Sequence, residues 1–405
     1  MSDPVPSASA VPSASAARPL PERVDVVVVG GGVMGASIAF HLAEAGAGQV
    51  LLLERDQLAC GSTSKAAGGV RAQFSDPVNI ALGARSLEAF EAFGQRPGHE
   101  IDLVQNGYLF LVTDPDDLRA YEQSVALQNR MGVPSRLLTA DEAARLSPAA
   151  VTDDVLGAAF HARDGHCTPE SVVQGYAAGA RRHGAVVRTG VAVEAIEVRG
   201  GEVIGVRTSA GTVRAATVVV AAGAWSQQLA ATAGVDLPVT PLRRQILVSE
   251  ALSPALVEQM PSSMPMTIDV STTLYLHREG PGVLFGMSYT AERPGFLTSY
   301  SEDWIDDLMA AVDRRFPVLS EVGIAQRWAG LYEVTPDHNA LIGEAGSVSR
   351  LLYATGFSGH GFLQGPAVGE VIRDLYLHRE PVVDVSPLSA DRFAAGSARA
   401  ERNIV

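Results

Sequence analysis

The sequence predicts an α/β fold: a Rossmann-type nucleotide-binding domain interleaved with a second domain built on an antiparallel sheet. Three observations predict it. Residues 24–55 run strand, glycine turn, helix, strand, acid. Buried-strand and helix segments of the same type recur far downstream. The stretches between them alternate in polarity, as half-exposed antiparallel strands do.

Residues 1–22 (MSDPVPSASAVPSASAARPLPE) are rich in Pro, Ser and Ala and carry the near-repeat VPSASA at 5–10 and 11–16. Such a tail buries no core and is expected to be disordered; without an apolar h-region it is not a secretory signal. Val26–Val29 then reads as a buried parallel strand. Gly30, Gly32 and Gly35 give G-x-G-x-x-G. The first glycine allows a tight turn, the second lets a pyrophosphate approach the backbone, and the third lets helix and strand pack closely. The helix that follows, opening at Val33 and Met34, aims its N-terminal amides at phosphates. Val50–Leu53 forms a second strand, ending in Glu54 where a ribose-binding acid belongs.

Thr168–His183 is predicted as a helix with Thr168 as N-cap and Pro169 at its first position. Val186–Val198 is strand-like. Thr217–Ala222 is a buried strand ending in Gly223. Leu351–Tyr353 is a strand leading to Gly356, a glycine-rich turn, and a helix expected from Pro366. Residues 91–150 carry mixed signals. Within 230–330, Thr273–His277 and Val283–Tyr289 alternate as antiparallel strands, and Ser301–Phe316 is an amphipathic helix with Ile305, Leu308, Val312 and Phe316 on one stripe. The expected division is a nucleotide domain from 23–90, 151–229 and 331–393, a substrate domain from 91–150 and 230–330, and a tail at 394–405.

The 405 residues are 47% hydrophobic and 19% charged, ordinary for a globular enzyme, and the net charge of −14 argues against nucleic acid and anionic membrane surfaces as partners. No run of about 18 apolar residues is present to span a membrane. Cys60 and Cys167 stand far apart, so neither a disulfide framework nor a metal site is expected. The expectation is a cytoplasmic protein. Of 31 basic residues only Lys65 is a lysine; any chemistry that needs a lysine must use it.

Four blocks carry a family resemblance: VVVVGGGVMGASIAFHLAEAG, LLLERDQLACGSTSKAAGGVRAQFS, VVVAAGAWS, and RWAGLYEVTPDHNALIG with GFSGHGFLQGPAVGEVI. They resemble the FAD-dependent D-amino acid oxidase and sarcosine oxidase family, nearest in pattern to sarcosine oxidase β subunits and related proline dehydrogenases. The resemblance implies non-covalent FAD, because the position where some relatives attach flavin to cysteine is Gly330. It places Glu54 on the adenosine ribose, and Arg55, Gly61, Ser62, Thr63 and Lys65 along the diphosphate and ribityl side. Ala67, Gly68 and Gly69 would pass near the isoalloxazine, and Val193 would hold the adenine. Ala222, Gly223 and Trp225 would line the same site. Gly330, Gly359, His360, Gly361, Phe362 and Leu363 would flank the ring.

For the substrate, the resemblance implies that Arg71 holds a carboxylate, as a bidentate guanidinium can, with His360 beside it. Tyr275 and Tyr332 are candidate pocket residues and equally candidate core aromatics. Two lysines of family oxidases are replaced, by Leu284 and Leu363. The implied reaction is oxidation of an amino acid or amine to an imine by hydride transfer to flavin N5. A dehydrogenase is favoured over an oxidase, with oxygen, a quinone or a protein as acceptor and with partner subunits in view. A flavoenzyme for 2-hydroxy acids and a non-catalytic flavoprotein of an assembly pathway stay open.

Overall fold

The computed structural model describes residues 19–403; residues 1–18, most of the expected disordered tail, lie outside the described residues, as do 404 and 405. Two eight-stranded sheets organise the chain. The first has five parallel strands at its centre, in the order Leu351–Thr355, Gly211–Val220, Arg23–Val29, Val50–Leu53, Val186–Arg188. Val26 and Val28 enter the core on one face; Val27 and Val29 enter the core on the other. Burial on both faces is why these strands read as unbroken apolar runs.

Helix Val33–Glu44 leaves the first glycine turn and is buried from Val33 to Ala43. It packs against helices Pro169–Arg182 and Gly361–Tyr376 on one face of the sheet. The expected strand Val186–Val198 is two strands. Val186–Arg188 runs parallel to Val50–Leu53, while Val193–Arg199 pairs antiparallel with Glu202–Thr208. Gly190, at φ +73°, stands in the break.

The second sheet runs Ile324–Val334, Thr240–Ser249, Gly282–Met287, Tyr275–Glu279, Met266–Asp269, Tyr108–Val112, Gly157–His161, Arg136–Leu138. Its pairings are antiparallel except Met266–Asp269 with Tyr108–Val112, which are parallel. Two expected boundaries move. Gly157–His161 pairs in this second sheet, not in the nucleotide domain, and Ile324–Val334 runs past the division expected at 330. Helix Ile305–Arg315 covers the sheet with Leu308 and Val312 buried.

Two local expectations are corrected. The last long helix begins at Gly361, not Pro366, which lies inside it. Packing explains the early start: Phe362 is buried and its ring lies 5.8 Å from that of Phe90. Thr168 occupies the N-cap position but makes no capping bond; its hydroxyl donates to Asp102 at 3.0 Å. The segment 394–403 is more than a tail. Glu401 is buried and accepts from the amides of Ser75 and Asp76 and from Asn79 Nδ2, at 2.9–3.0 Å. Among the described residues no helix is long and apolar enough to cross a membrane.

Candidate active site

A cavity of about 480 Å³ opens where the strand ends of the first sheet meet the face of the second. Its first end is the glycine turn. Gly30 takes φ +113°, and a Cβ there would collide with the carbonyl oxygen of Ala221. Gly31 N–H donates to Glu54 Oε2 at 2.6 Å and Val33 N–H to Thr63 Oγ1 at 3.1 Å. The other first-turn amides, at the positive end of the helix dipole, open on cavity-lining Gly32 and Met34. Gly35 is the one expected cofactor residue off the cavity wall; a Cβ on it would strike the carbonyl of Gly30, so it serves helix–strand packing.

The loop from Gly61 to Gly69 lies along the floor. Ser62 Oγ donates to the carbonyl of Leu331 at 2.6 Å, and Trp328 Nε1 donates to that of Lys65 at 3.1 Å. A Cβ at Gly330 would come within 2.5 Å of Lys65 Cβ, and a Cβ at Gly69 would meet the hydroxyl of Tyr108. The two sheets are therefore stitched together through this loop. The Arg55 guanidinium lies 3.8 Å over the Trp225 ring. The structure also brings Ala67, Gly68, Val193, Ala222, Gly223, Gly359, Gly361 and Phe362 to the same wall.

At the other end stand Arg71, His360, Tyr275 and Tyr332. Arg71 is not free. It donates to the backbone carbonyls of Gln73 and, at 2.7 Å, Asn403, and lies 4.2 Å over the Phe74 ring. His360 is buried, with Nε2 unpartnered among the described residues. Burial, then the nearby Arg71 charge, pushes it down to about 3, so it is neutral near pH 7. Burial holds the phenols of Tyr275 and Tyr332 above their ordinary range, so both keep their protons. Leu363 lines the cavity; Leu284 does not, and packs in the neighbouring apolar cluster.

Among the wall residues outside the sequence-based candidates are Tyr108, Glu333 and Arg244. Arg244 sits opposite Gly330 on the neighbouring strand, 5.2 Å over the Tyr332 ring. Its single protein hydrogen bond among the described residues goes to the carbonyl of Arg243 at 3.1 Å; Nε is orphaned. Arg243, on the opposite face of the strand, takes the carboxylate of Glu292. Burial lowers the pKa of Arg244 from the usual arginine range, but a guanidinium keeps its proton in proteins. The arginine pair at 243–244 in a strand was the available signal, since alternation must send one of them inward.

A family model described as FAD dependent oxidoreductase matches residues 25–375. The mitochondrial dimethylglycine dehydrogenase of Mus musculus is 29% identical over 389 residues, covering 92% of this chain and 44% of that protein. The formaldehyde-forming 4-methylaminobutanoate oxidase of Paenarthrobacter nicotinovorans is 30% identical, covering 94% of this chain and 47% of that protein. The chain thus spans about half the length of these relatives. Among solved structures, L-proline dehydrogenase from P. horikoshii is 30% identical with a TM-score of 0.87, covering 94% of this chain and all of that one. Glycine oxidase from Geobacillus kaustophilus is 26% identical with a TM-score of 0.80, covering 92% of this chain and 99% of that one. The glycine turn, the acid after the second strand and one cavity continuous from them to a ring of aromatic residues fit FAD. The chain belongs to the family of FAD-dependent oxidoreductases.

Proposed function

We propose that the protein oxidises the carbon–nitrogen bond of an amino acid or N-methyl amino acid to an imine. The observation that supports it best is Arg244. A half-buried guanidinium with an enclosed, unpartnered Nε and no acid partner is costly, and its natural complement is an anionic ligand. The printed names of the relatives support the same class, since dimethylglycine, 4-methylaminobutanoate, proline and glycine each join an amine to a carboxylate.

Bound FAD supplies the acceptor for the hydride that leaves the carbon bearing nitrogen. In this reading Arg244 takes the substrate carboxylate and so fixes that carbon against the ring. Arg71 adds positive potential, with one hydrogen each of Nη1 and Nη2 already committed to the carbonyls of Gln73 and Asn403. The phenols of Tyr275 and Tyr332 offer neutral hydrogen bonds. His360, being neutral, offers the amine one hydrogen bond and no charge. No carboxylate is bonded to Arg71, Arg244 or these tyrosines among the described residues. A strong base is missing there, so the amine reacts in its neutral form. Because Leu363, on the cavity wall, stands where the family resemblance places a lysine of oxidases, electrons pass to a quinone or protein acceptor in preference to oxygen.

The test is anaerobic titration of the yellow protein with sarcosine, dimethylglycine, proline, glycine and D-amino acids. Bleaching of the flavin by one of these, and not by its methyl ester, is expected. Bleaching by 2-hydroxy acids alone would replace the amine substrate. A flavin that none of these compounds bleaches would favour the non-catalytic role.

A further inference from the structure

Glu333 lies on strand Ile324–Val334, one residue beyond Tyr332, and lines the cavity. Its Oε2 accepts from Thr355 Oγ1 at 2.9 Å and from Gly356 N at 3.1 Å. Oε1 has no partner within hydrogen-bond geometry among the described residues, the amide of Phe357 being a further donor beside the carboxyl group, and Glu333 lines the cavity. The groups around it are uncharged: Gly223, Thr355, Gly356, Phe357, and Pro241 opposite it on the next strand. Among the described residues neither an arginine nor a lysine pairs with it. The nearest titratable group on its own strand, Tyr332, keeps its proton.

A carboxylate enclosed in this way, with only neutral neighbours, is better accommodated as the acid. Burial accordingly raises its pKa. Proton accounting agrees. As a neutral acid, Oε2 is the carbonyl oxygen that accepts from Gly356 N–H and shares the single Thr355 hydroxyl proton with the carbonyl of Gly223, while Oε1 carries the carboxyl proton. The cofactor is rich in acceptor oxygens, on its phosphates, its ribityl chain and its ring.

We infer that Glu333 is a protonated carboxylic acid in the folded protein and donates a hydrogen bond from Oε1 to an acceptor oxygen of bound FAD. This rests on the cofactor assignment. It makes Glu333 a binding residue that works only while neutral. Above the pH at which the free protein loses this proton, FAD uptake must bring a proton with it, and affinity falls about tenfold per pH unit. The other ionisable groups on the wall, among them Glu54, Lys65, Arg71 and Arg244, are common to wild type and variants and cancel in comparison.

Two measurements decide it. The first is the infrared difference spectrum of the FAD-loaded protein, wild type minus Glu333→Gln. The carbonyl stretch of a protonated carboxylic acid is expected in the wild type alone, shifting when FAD is removed; its absence overturns the inference. The second is FAD binding to the apo-protein, followed by flavin fluorescence. Glu333→Gln, which retains a donor, is expected within about threefold of wild type at pH 6. Glu333→Met, which has none, is expected about tenfold weaker or more. Equal affinity of all three overturns the donated bond. If Glu333→Met fails to fold, as circular dichroism would show, the infrared spectrum still decides. A wild-type protein that takes up no FAD at any pH would defeat the cofactor assignment and the donated bond with it, an outcome distinct from equal affinity of the three proteins.

Discussion

Two arginines on one wall invite the same role, and their partners separate them. Arg71 is tied to two backbone carbonyls and an aromatic face, so its loss removes structure. Arg244 is tied to one carbonyl and faces the cavity. Arg244→Met is therefore expected to lower kcat/KM for the amino acid by about a hundredfold or more, the cost of an unpaired buried carboxylate, and to leave the melting temperature of the apo-protein unchanged or raised. Arg71→Met is expected to lower that melting temperature. Steady-state kinetics beside thermal melts check the contrast, and a reversed pattern would return the clamp to Arg71. The histidines give a second prediction. Burial lowers His41 to about 4 and His166 and His360 to about 3. A group depressed on folding stabilises the native state above its unfolded pKa, near 6.5, and that stability is lost as pH falls toward the folded value. Each costs on the order of 1–2 kcal/mol by pH 5. Melting temperature should thus fall between pH 7 and 5, and His166→Asn should flatten the fall.

Between elements, the tightest crossing is helix Val33–Glu44 on helix Gly361–Tyr376. A Cβ at Gly369 would collide with Ser37 Oγ and reach 2.5 Å from His41 Nδ1. Gly369→Ala should therefore destabilise by about 1–3 kcal/mol without touching the cavity, read as a lower melting temperature with unchanged kcat per bound flavin. This level of the fold was legible in part. The run from Val24 to Arg55 was legible because its strand residues, the exposed Asp25 apart, are apolar for one core or the other and its turn glycines meet backbone constraints. The strand Gly157–His161 was not, since GAAFH has no alternation and its partner, Tyr108–Val112, is apolar on both faces. Pro366 misled because a proline usually marks a helix start, and here the burial of Phe362 and Leu363 extended the helix ahead of it. The expected cofactor residues, Gly35 apart, meet on one wall because they come in contiguous glycine-rich blocks. Arg244 and Glu333 were hidden because a strand residue's role depends on which face it takes, and pairing with a distant strand sets that.

Across the whole molecule, one cavity draws on both sheets, and the loop Gly61–Gly69 ties them through Ser62, Trp328 and the Lys65–Gly330 contact. FAD bound there adds stability by mass action, about 2.7 kcal/mol when free FAD is a hundredfold above its Kd. On the proposed function, the same architecture bears on where the electrons go. Lys65 is the single lysine of the sequence, and its backbone and Cβ are committed to the stitch between the sheets. The wall beside His360 carries Leu363, an apolar group that offers oxygen no positive charge to stabilise the negative charge developing on it. The substrate-reduced protein should consequently be reoxidised slowly by air and at least about tenfold faster by a dye acceptor such as dichlorophenolindophenol, both followed by return of flavin absorbance in a stopped-flow mixer. Fast reoxidation by air would mean that a cation inside the cavity does serve oxygen. Lys65→Met, Arg71→Met and Arg244→Met would then identify it, since the one that slows the oxygen reaction while leaving the dye reaction intact is the cation responsible.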